Sequence, residues 1–341
     1  MREVFADRLF PTENLKSRYQ VADCEIIQAR YKPGKNCLIS YRLNVNDQVA
    51  NQSREQILCA RVYESGDSNS RFAKAQFQPQ LATEFGNSIF HLPNLDMLAW
   101  VFPNDRKLVG LPKIADADCL KLEVLPPVIA ANFGNDWRIE SLASRVIHYV
   151  AEHTCTVRVT VELQNASTGE AQSVVLFGKT YYNNDGAETF ARMRQLSESE
   201  TCLSGRLTLA QPLAYQPEIQ TLWQMGLPGV SLYEREADGS QFFALLESAA
   251  VSLAALHQTP ISCSRDVGIA DLLARFDEVE RMVAMLRPEL SSRLRSLLDR
   301  LRNQARQIDA RPTATLHGDL HLKNFFVTGQ KVALIDLDNL C

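Results

Sequence analysis

Two apolar spacings divide the 341-residue chain. Up to about residue 230, apolar positions alternate with polar ones in short runs bounded by turn formers, the period-two signature of half-buried strands. Segments 37–43 and 155–161 each read as a strand, and 57–63 and 175–181 read as the strands that follow. From Ser240 the period becomes that of a helix. Phe242, Leu245, Leu246, Ala249, Leu253 and Leu256 form one apolar stripe, ended by Pro260, and Leu290, Leu294, Leu297, Leu301, Ala305 and Ile308 form a second. Arg293, Arg295, Arg300, Arg302 and Arg306 lie between the apolar positions of the second stripe and read as a solvated face.

The strand-rich part repeats itself. At a constant offset of 118 residues Tyr31 meets Tyr149, Cys37 meets Cys155, Leu58 meets Leu176, Tyr63 meets Tyr181, Asp67 meets Asp185, and Phe72-Ala73 meets Phe190-Ala191. The similarity continues after a small change of offset, 91–100 resembling 215–224, each expected as a strand entered through a proline. Gapless agreement over such a window favours duplication over coincidence. Three regions are therefore expected: a β-rich copy over 1–130, acting as a cap, brace or partner surface; a second copy over 131–230; and a helical region over 231–341.

An apolar content of 45% with 22% charge is that of a globular chain, and a net charge of −4 gives no basic footprint for nucleic acid or an anionic membrane. Eight cysteines form no C-x-x-C pair, so buried thiols are expected in place of a disulfide framework or zinc site. The first residues lack an apolar leader and no stretch is expected to reach bilayer length, which points to the cytoplasm.

The last 25 residues carry the chemistry. Asp319 is followed by Asn324 and, after a hairpin-like segment, by Asp336 and Asp338. One carboxylate orients or deprotonates a hydroxyl while an amide and a second carboxylate hold Mg²⁺ on nucleotide phosphates, the division of labour that phosphoryl transfer requires. His317-Gly318-Asp319 with Asn324, then Ile335-Asp336-Leu337-Asp338, resembles the catalytic and metal loops of the aminoglycoside phosphotransferase and choline kinase family. Protein kinases have Arg at the Gly318 place and D-F-G at the second motif, so the small-molecule branch is the nearer resemblance.

The resemblance implies an α+β, protein-kinase-like two-lobe fold, with a duplicated β-rich N-lobe and a helical C-lobe. It implies Asp319 as the catalytic acid-base group, with His317 in the same catalytic loop, where the family's histidine packs and hydrogen-bonds. Asn324 and Asp336 become metal ligands, with Asp338 either a further ligand or a loop cap. ATP and Mg²⁺ are the implied cofactors, and a small-molecule hydroxyl (an aminoglycoside, sugar or amino alcohol) is the implied acceptor. The chain stops three residues after Asp338, where the family continues with helices that build the acceptor pocket, so an incomplete C-lobe is expected.

For the phosphate anchor, Lys179 on the strand 175–181 is the candidate. The triplet Gly178-Lys179-Thr180 is no Walker loop, since Ser173 stands where the first glycine belongs and the triplet closes a strand. Arg61 occupies the corresponding place in the first copy. The adenine is expected at 223–232, with Gln224, Met225 and Leu227 supplying backbone bonds and apolar walls, and Glu188 or Glu198 is the acid to pair with Lys179. One feature opposes this placement: the glycine-bearing tip 31–37 belongs to the first copy, and the second has Glu152 there, a poorer phosphate cradle. A nucleotide-binding pseudokinase-like scaffold is the alternative reading, and a protein kinase a weaker one.

Overall fold

The computed structural model describes residues 1–64, 66–77, 80–235, 239–263, 267–308, 314–329 and 331–341. The chain divides into two compact units, the first comprising Met1–Ala187 with Pro212–Gly226 and the second Glu188–Gln211 with Leu227–Cys341.

Two sheets make up the first unit. Helices α1 (Arg2–Leu9) and α2 (Glu13–Arg18) lead into strands β1 (Tyr19–Lys32), β2 (Asn36–Asp47) and β3 (Gln52–Tyr63), then helix α3 (Asp67–Ala75) and strands β4 (Ile89–Leu92) and β5 (Met97–Val101). The sheet order is β1-β2-β3-β5-β4. Three helical pieces, α4 (Leu111–Ile114), α5 (Ala117–Cys119) and, after a π turn, α6 (Leu125–Phe133), precede β6 (Trp137–Val150), β7 (Thr154–Asn165), β8 (Ala171–Tyr181), β9 (Pro212–Gln216) and β10 (Thr221–Met225). The second sheet is ordered β6-β7-β8-β10-β9, the same succession as the first.

Registers repeat as well. Tyr19 pairs with Asp47 and Trp137 with Asn165; Cys37 pairs with Val62 and Cys155 with Thr180; Leu58 pairs with Val101 and Leu176 with Met225. Each sheet buries one face. Leu43, Leu58 and Ala60 pack against Phe5 and Leu9 of α1, while Val159, Leu176 and Trp223 pack against Leu125, Val128 and Ile129 of α6. Alternation along a strand sends Cys59, Arg61 and Tyr63 of β3, and Phe177, Lys179 and Tyr181 of β8, to the opposite face.

The segments 91–100 and 215–224 are not single strands. In each a turn separates two antiparallel strands, and the left-handed residue that closes it is Asp96 (φ 44°) in one and Gln220 (φ 47°) in the other. Pro93 starts that turn in the first copy, because a residue without an N–H suits a turn better than a central strand.

In the second unit the remainder of α7 (Asp185–Ser197) and α8 (Glu200–Leu203) join α9 (Gly239–Gln258), α10 (Ile269–Leu286), α11 (Ser291–Ala305) and a three-stranded sheet. That sheet is β11 (Val230–Ser231), β12 (Phe325–Thr328) and β13 (Lys331–Leu334), paired in that order. Contrary to the sequence expectation, one segment does reach bilayer length, since α9 has 20 residues and a mean hydropathy of 1.3 in its most apolar window. It buries one narrow face, Ala249, Ser252, Ala255 and Leu256, with the Ser252 hydroxyl donating to the Val332 carbonyl of β13 at 2.9 Å, while Phe243 and Val251 are exposed. The second apolar stripe is mostly exposed, Leu298 being the buried residue of α11. Arg302 and Arg295 do not simply face water either: Arg302 bridges Asp277, Glu280 and Asp299, and Arg295 reaches Glu280, tying α11 to α10.

Candidate active site

The motif residues lie on one knot of backbone in the second unit. Asn324 ends a 3-10 turn, Leu322–Asn324, that leads straight into β12, and it is 4% exposed. Its Nδ2 donates to the Asp319 carbonyl at 2.8 Å, and its own carbonyl accepts from the Ile335 N–H at 3.0 Å. His317, 2% exposed, donates from Nε2 to the Ile335 carbonyl at 2.9 Å. The residue before Asp336 is thereby bonded to both Asn324 and His317. Asp319 and Asp336 themselves are exposed.

His317 is packed in the loop and not presented to solvent. With its proton on Nε2, Nδ1 is left buried without a hydrogen-bond partner. A ring so enclosed orients the loop and is badly placed to exchange protons with an acceptor. Asp336 has φ 59° and ψ 58°, a left-handed conformation costly for a non-glycine residue, and it caps the short turn Leu337–Asn339 that holds half-buried Asp338. Strain of that kind persists where neighbouring bonds over-determine the backbone.

Gly318 explains why its position excludes a side chain. Its φ is +79°, and a Cβ there would lie 2.0 Å from the Asn339 carbonyl oxygen. The arginine that protein kinases carry at this place has no room here. The segment after Asp336 is fastened on its far side: Leu316 and Cys341 exchange two backbone bonds of 2.8 and 3.1 Å, and Arg192 Nη1 donates to the Leu340 carbonyl at 3.1 Å. Sequence reading missed Arg192. Its nearest sequence signal is Glu188 one turn earlier, which it pairs at 2.6 Å, and nothing in the local pattern announces a bond to a residue 148 positions on.

The donors fit a hard cation. Asn324 spends its amide nitrogen on Asp319, which leaves Oδ1 as an acceptor, and Asp336 adds carboxylate oxygens, the ligand type Mg²⁺ prefers. Among the described residues no group of three His, Cys, Asp or Glu could hold a metal without such help. A cation here would depend on the amide and on oxygens from outside the chain.

Of the remaining candidates, Lys179 sits in β8, paired with Thr156 and Leu222, half-buried, its Nζ 5.8 Å from the centre of the Tyr181 ring. Gly178 beside it lies under Trp223, where a Cβ would come within 2.6 Å of the indole, so the triplet with Thr180 is a packing device. Gln224 is paired on both sides, to Phe177 and Pro212, so its backbone is engaged in the sheet; the β9 ladder stops there, leaving Met225 paired with Leu176 alone. Leu227 begins the next part of the second unit. Glu198 pairs with Arg194 at 2.8 Å, and Glu188 pairs with Arg192.

The tip of the β6–β7 hairpin is where the structure departs most from a simple duplicate. Glu152 has φ 54° at the place that corresponds to Gly34 (φ 66°) of the first copy, and its carboxylate is buried against the first sheet. Arg61 donates to it from Nε at 3.2 Å and from Nη2, and Arg106 donates from Nε at 3.1 Å and Nη2 at 2.9 Å. The Glu152 N–H and the Tyr149 hydroxyl both donate to Asp105, at 2.8 and 2.7 Å, and Arg30 donates to the Ala151 carbonyl. Burial raises the Glu152 pKa, but the Arg106 hydrogen bond and the charges of Arg61 and Arg106 outweigh it and hold the carboxyl below its usual range. Arg61, corresponding to Lys179, thus holds a carboxylate of the second copy.

Residues 182–341 match the model of the APH family, described as the phosphotransferase enzyme family. Among solved structures, a thermostable mutant of aminoglycoside phosphotransferase APH(4)-Ia in apo form is similar at 14% identity and a TM-score of 0.43, over 63% of this chain and 71% of that one. The streptomycin–ATP complex of APH(2")-IIa is similar at 14% identity and 0.41, over 65% and 71%. APH(3'')-Id from Streptomyces rimosus, with ADP and streptomycin, is similar at 20% identity and 0.32, over 53% and 68%. No curated protein sequence matches the chain.

Proposed function

Since residues 182–341 match the model of the phosphotransferase enzyme family, we propose that this protein is an ATP- and Mg²⁺-dependent small-molecule kinase that transfers the γ-phosphoryl group of ATP to an acceptor hydroxyl. The observation that carries this reading is the knot in which Asn324 bonds the Asp319 carbonyl while its own carbonyl, with His317, anchors Ile335 beside Asp336. It ties the backbone of Asp319, Asn324 and the residue before Asp336 together.

Asp319 accepts or orients the proton of the acceptor hydroxyl, whose oxygen attacks the γ-phosphorus as ADP leaves. Asn324 Oδ1 and Asp336 would hold Mg²⁺, which when bound neutralises phosphate charge. His317 positions the loop, Asp338 supports the turn after Asp336, and Lys179 is the cation assigned to the phosphates. Met225 and Leu227 are assigned to the adenine, with Gln224 contributing through its side chain in place of its engaged backbone. The acceptor is an aminoglycoside, a sugar or an amino alcohol, and the cytoplasm, where ATP is plentiful and thiols stay reduced, is the compartment proposed.

ADP release from the purified chain, screened against a library of hydroxyl compounds, tests the reading. Asp319→Ala and Asp319→Asn are expected to lower kcat by at least 100-fold with the KM for ATP within about threefold of wild type, because the carboxylate acts on the acceptor and contributes little to nucleotide binding. Turnover near the wild-type rate in both variants would remove Asp319 from the mechanism. Saturable ATP binding with no turnover for any acceptor would favour the nucleotide-binding scaffold instead.

A further inference from the structure

In the first unit, on the face of the first sheet that carries Arg61, lies a cavity of about 250 Å³ that the phosphotransferase reading leaves unused. Tyr63, Leu98 and Trp100 line it together with Arg71, Lys74 and Arg106. Trp100 is 5% exposed, so its ring is held by the core and presents an edge or face that does not move. Arg71 and Lys74 come from α3, an exposed helix, and Arg71 lies 5.8 Å over the Tyr63 ring.

Three carboxylates partly balance these cations and the neighbouring Arg61, with Asp105 acting on Arg106 through its charge. Asp67 pairs with Arg71 at 3.1 Å across an exposed helical turn, where such a pair adds little, and Glu152 is shared between Arg106 and Arg61. The walls therefore keep an excess of positive charge beside two fixed aromatic rings. Cationic forks suit phosphate oxygens, and rigid aromatic walls suit a planar apolar body.

We propose that this cavity is a second ligand site, separate from the motif loops, that binds a small organic phosphate with its phosphate between Arg71, Lys74 and Arg106 and its apolar part against Tyr63 and Trp100. The volume accommodates a phosphate bearing one ring. Because Arg106 also grips Glu152, occupancy bears on the residue that fastens the β6–β7 turn to the first sheet.

The experiment is a fluorescence titration of the full chain, without nucleotide, with phenyl phosphate and separately with inorganic phosphate. Saturable binding of phenyl phosphate in the submillimolar range, several-fold tighter than inorganic phosphate, is expected. Arg71→Ala combined with Lys74→Ala should weaken it at least tenfold, Trp100→Phe should remove most of the signal change, and Lys179→Ala should leave the affinity unchanged. No saturation up to 10 mM, equal affinity for the two anions, or an undiminished affinity in an Arg71→Ala/Lys74→Ala chain that melts as wild type does would each overturn the proposal. Turnover does not enter the measurement, so its outcome is independent of the phosphotransferase reading.

Discussion

Gly318→Ala is the smallest change that should disable the motif loops without removing any functional group. An alanine Cβ would sit 2.0 Å from the Asn339 carbonyl oxygen, whereas ordinary contact starts at 3.4 Å, so the two segments must part by more than an ångström. If the segment after Asp336 yields, the two Leu316–Cys341 backbone bonds and the Arg192 bond to Leu340 are strained or lost, at about 1 kcal/mol each. If the loop yields instead, Asp319 moves and its carbonyl leaves Asn324 Nδ2. Either way an L-residue at φ +79° adds about 1–2 kcal/mol. The sum is about 2–5 kcal/mol of local stability, depending on which segment yields. A displacement near 1 Å between catalytic groups costs about 100-fold in rate. ADP release and thermal melting measured on the same preparation should therefore show kcat down by about two orders of magnitude and an apparent Tm lower by several degrees. Turnover within threefold of wild type at an unchanged Tm would refute the claim that Gly318 sets the spacing of Asp319 and Asp336.

Asn324→Ala and Asp336→Ala should each weaken the enhancement of ATP binding by Mg²⁺, seen as a smaller gap between titrations with and without the cation; Asn324→Ala should also destabilise by about 1–3 kcal/mol, since the Asp319 carbonyl loses its buried partner. Equal Mg²⁺ dependence in wild type and both variants would contradict the ligand roles. The Glu152 node predicts a pH dependence: its carboxyl titrates below the ordinary 4.5, so the stability it contributes is complete above that value and lost as the pH falls through the depressed one. Acid melting of wild type and Glu152→Gln should converge as the pH drops below about 4.5, and a constant gap would count against the ion pair. Buried Cys155, whose thiol is pushed up to about 12 by burial, and Cys59, pushed well up by the same cause, should resist thiolate-selective reagents at pH 8 in the folded chain and react on unfolding.

What the sequence made legible is what local spacing encodes. The strands at offset 118, the helical stripe of α9 and the five-residue interval from Asp319 to Asn324 all follow from periodicity or loop chemistry between near neighbours. What stayed hidden depends on partners far along the chain. Nothing near Arg192 in the sequence points to Leu340, and nothing near Gly318 points to Asn339 filling its Cβ position. The turn inside 91–100 was concealed for another reason: Asp96 and Gln220 take left-handed conformations that glycine would have announced.

The exchange of Gly34 for Glu152 at corresponding hairpin tips accounts for the asymmetry between the two sheets. Duplication yields two turns with one backbone geometry, and both tips are left-handed, yet only one keeps the residue for which that geometry is free. A glutamate there costs conformational energy, and it was retained beside two arginines that desolvate with it. Breaking a buried pair of this kind costs about 3–5 kcal/mol because a charge is stranded. Arg61, 12% exposed and bonded to Asn36 as well as Glu152, is enclosed within the chain, whereas Arg106, 34% exposed, shares the carboxylate and still reaches the surface. Under the proposed function, the contact that fastens the second hairpin to the first sheet takes Arg61 out of the set of cations open to a phosphate, and the nucleotide is assigned to the second copy.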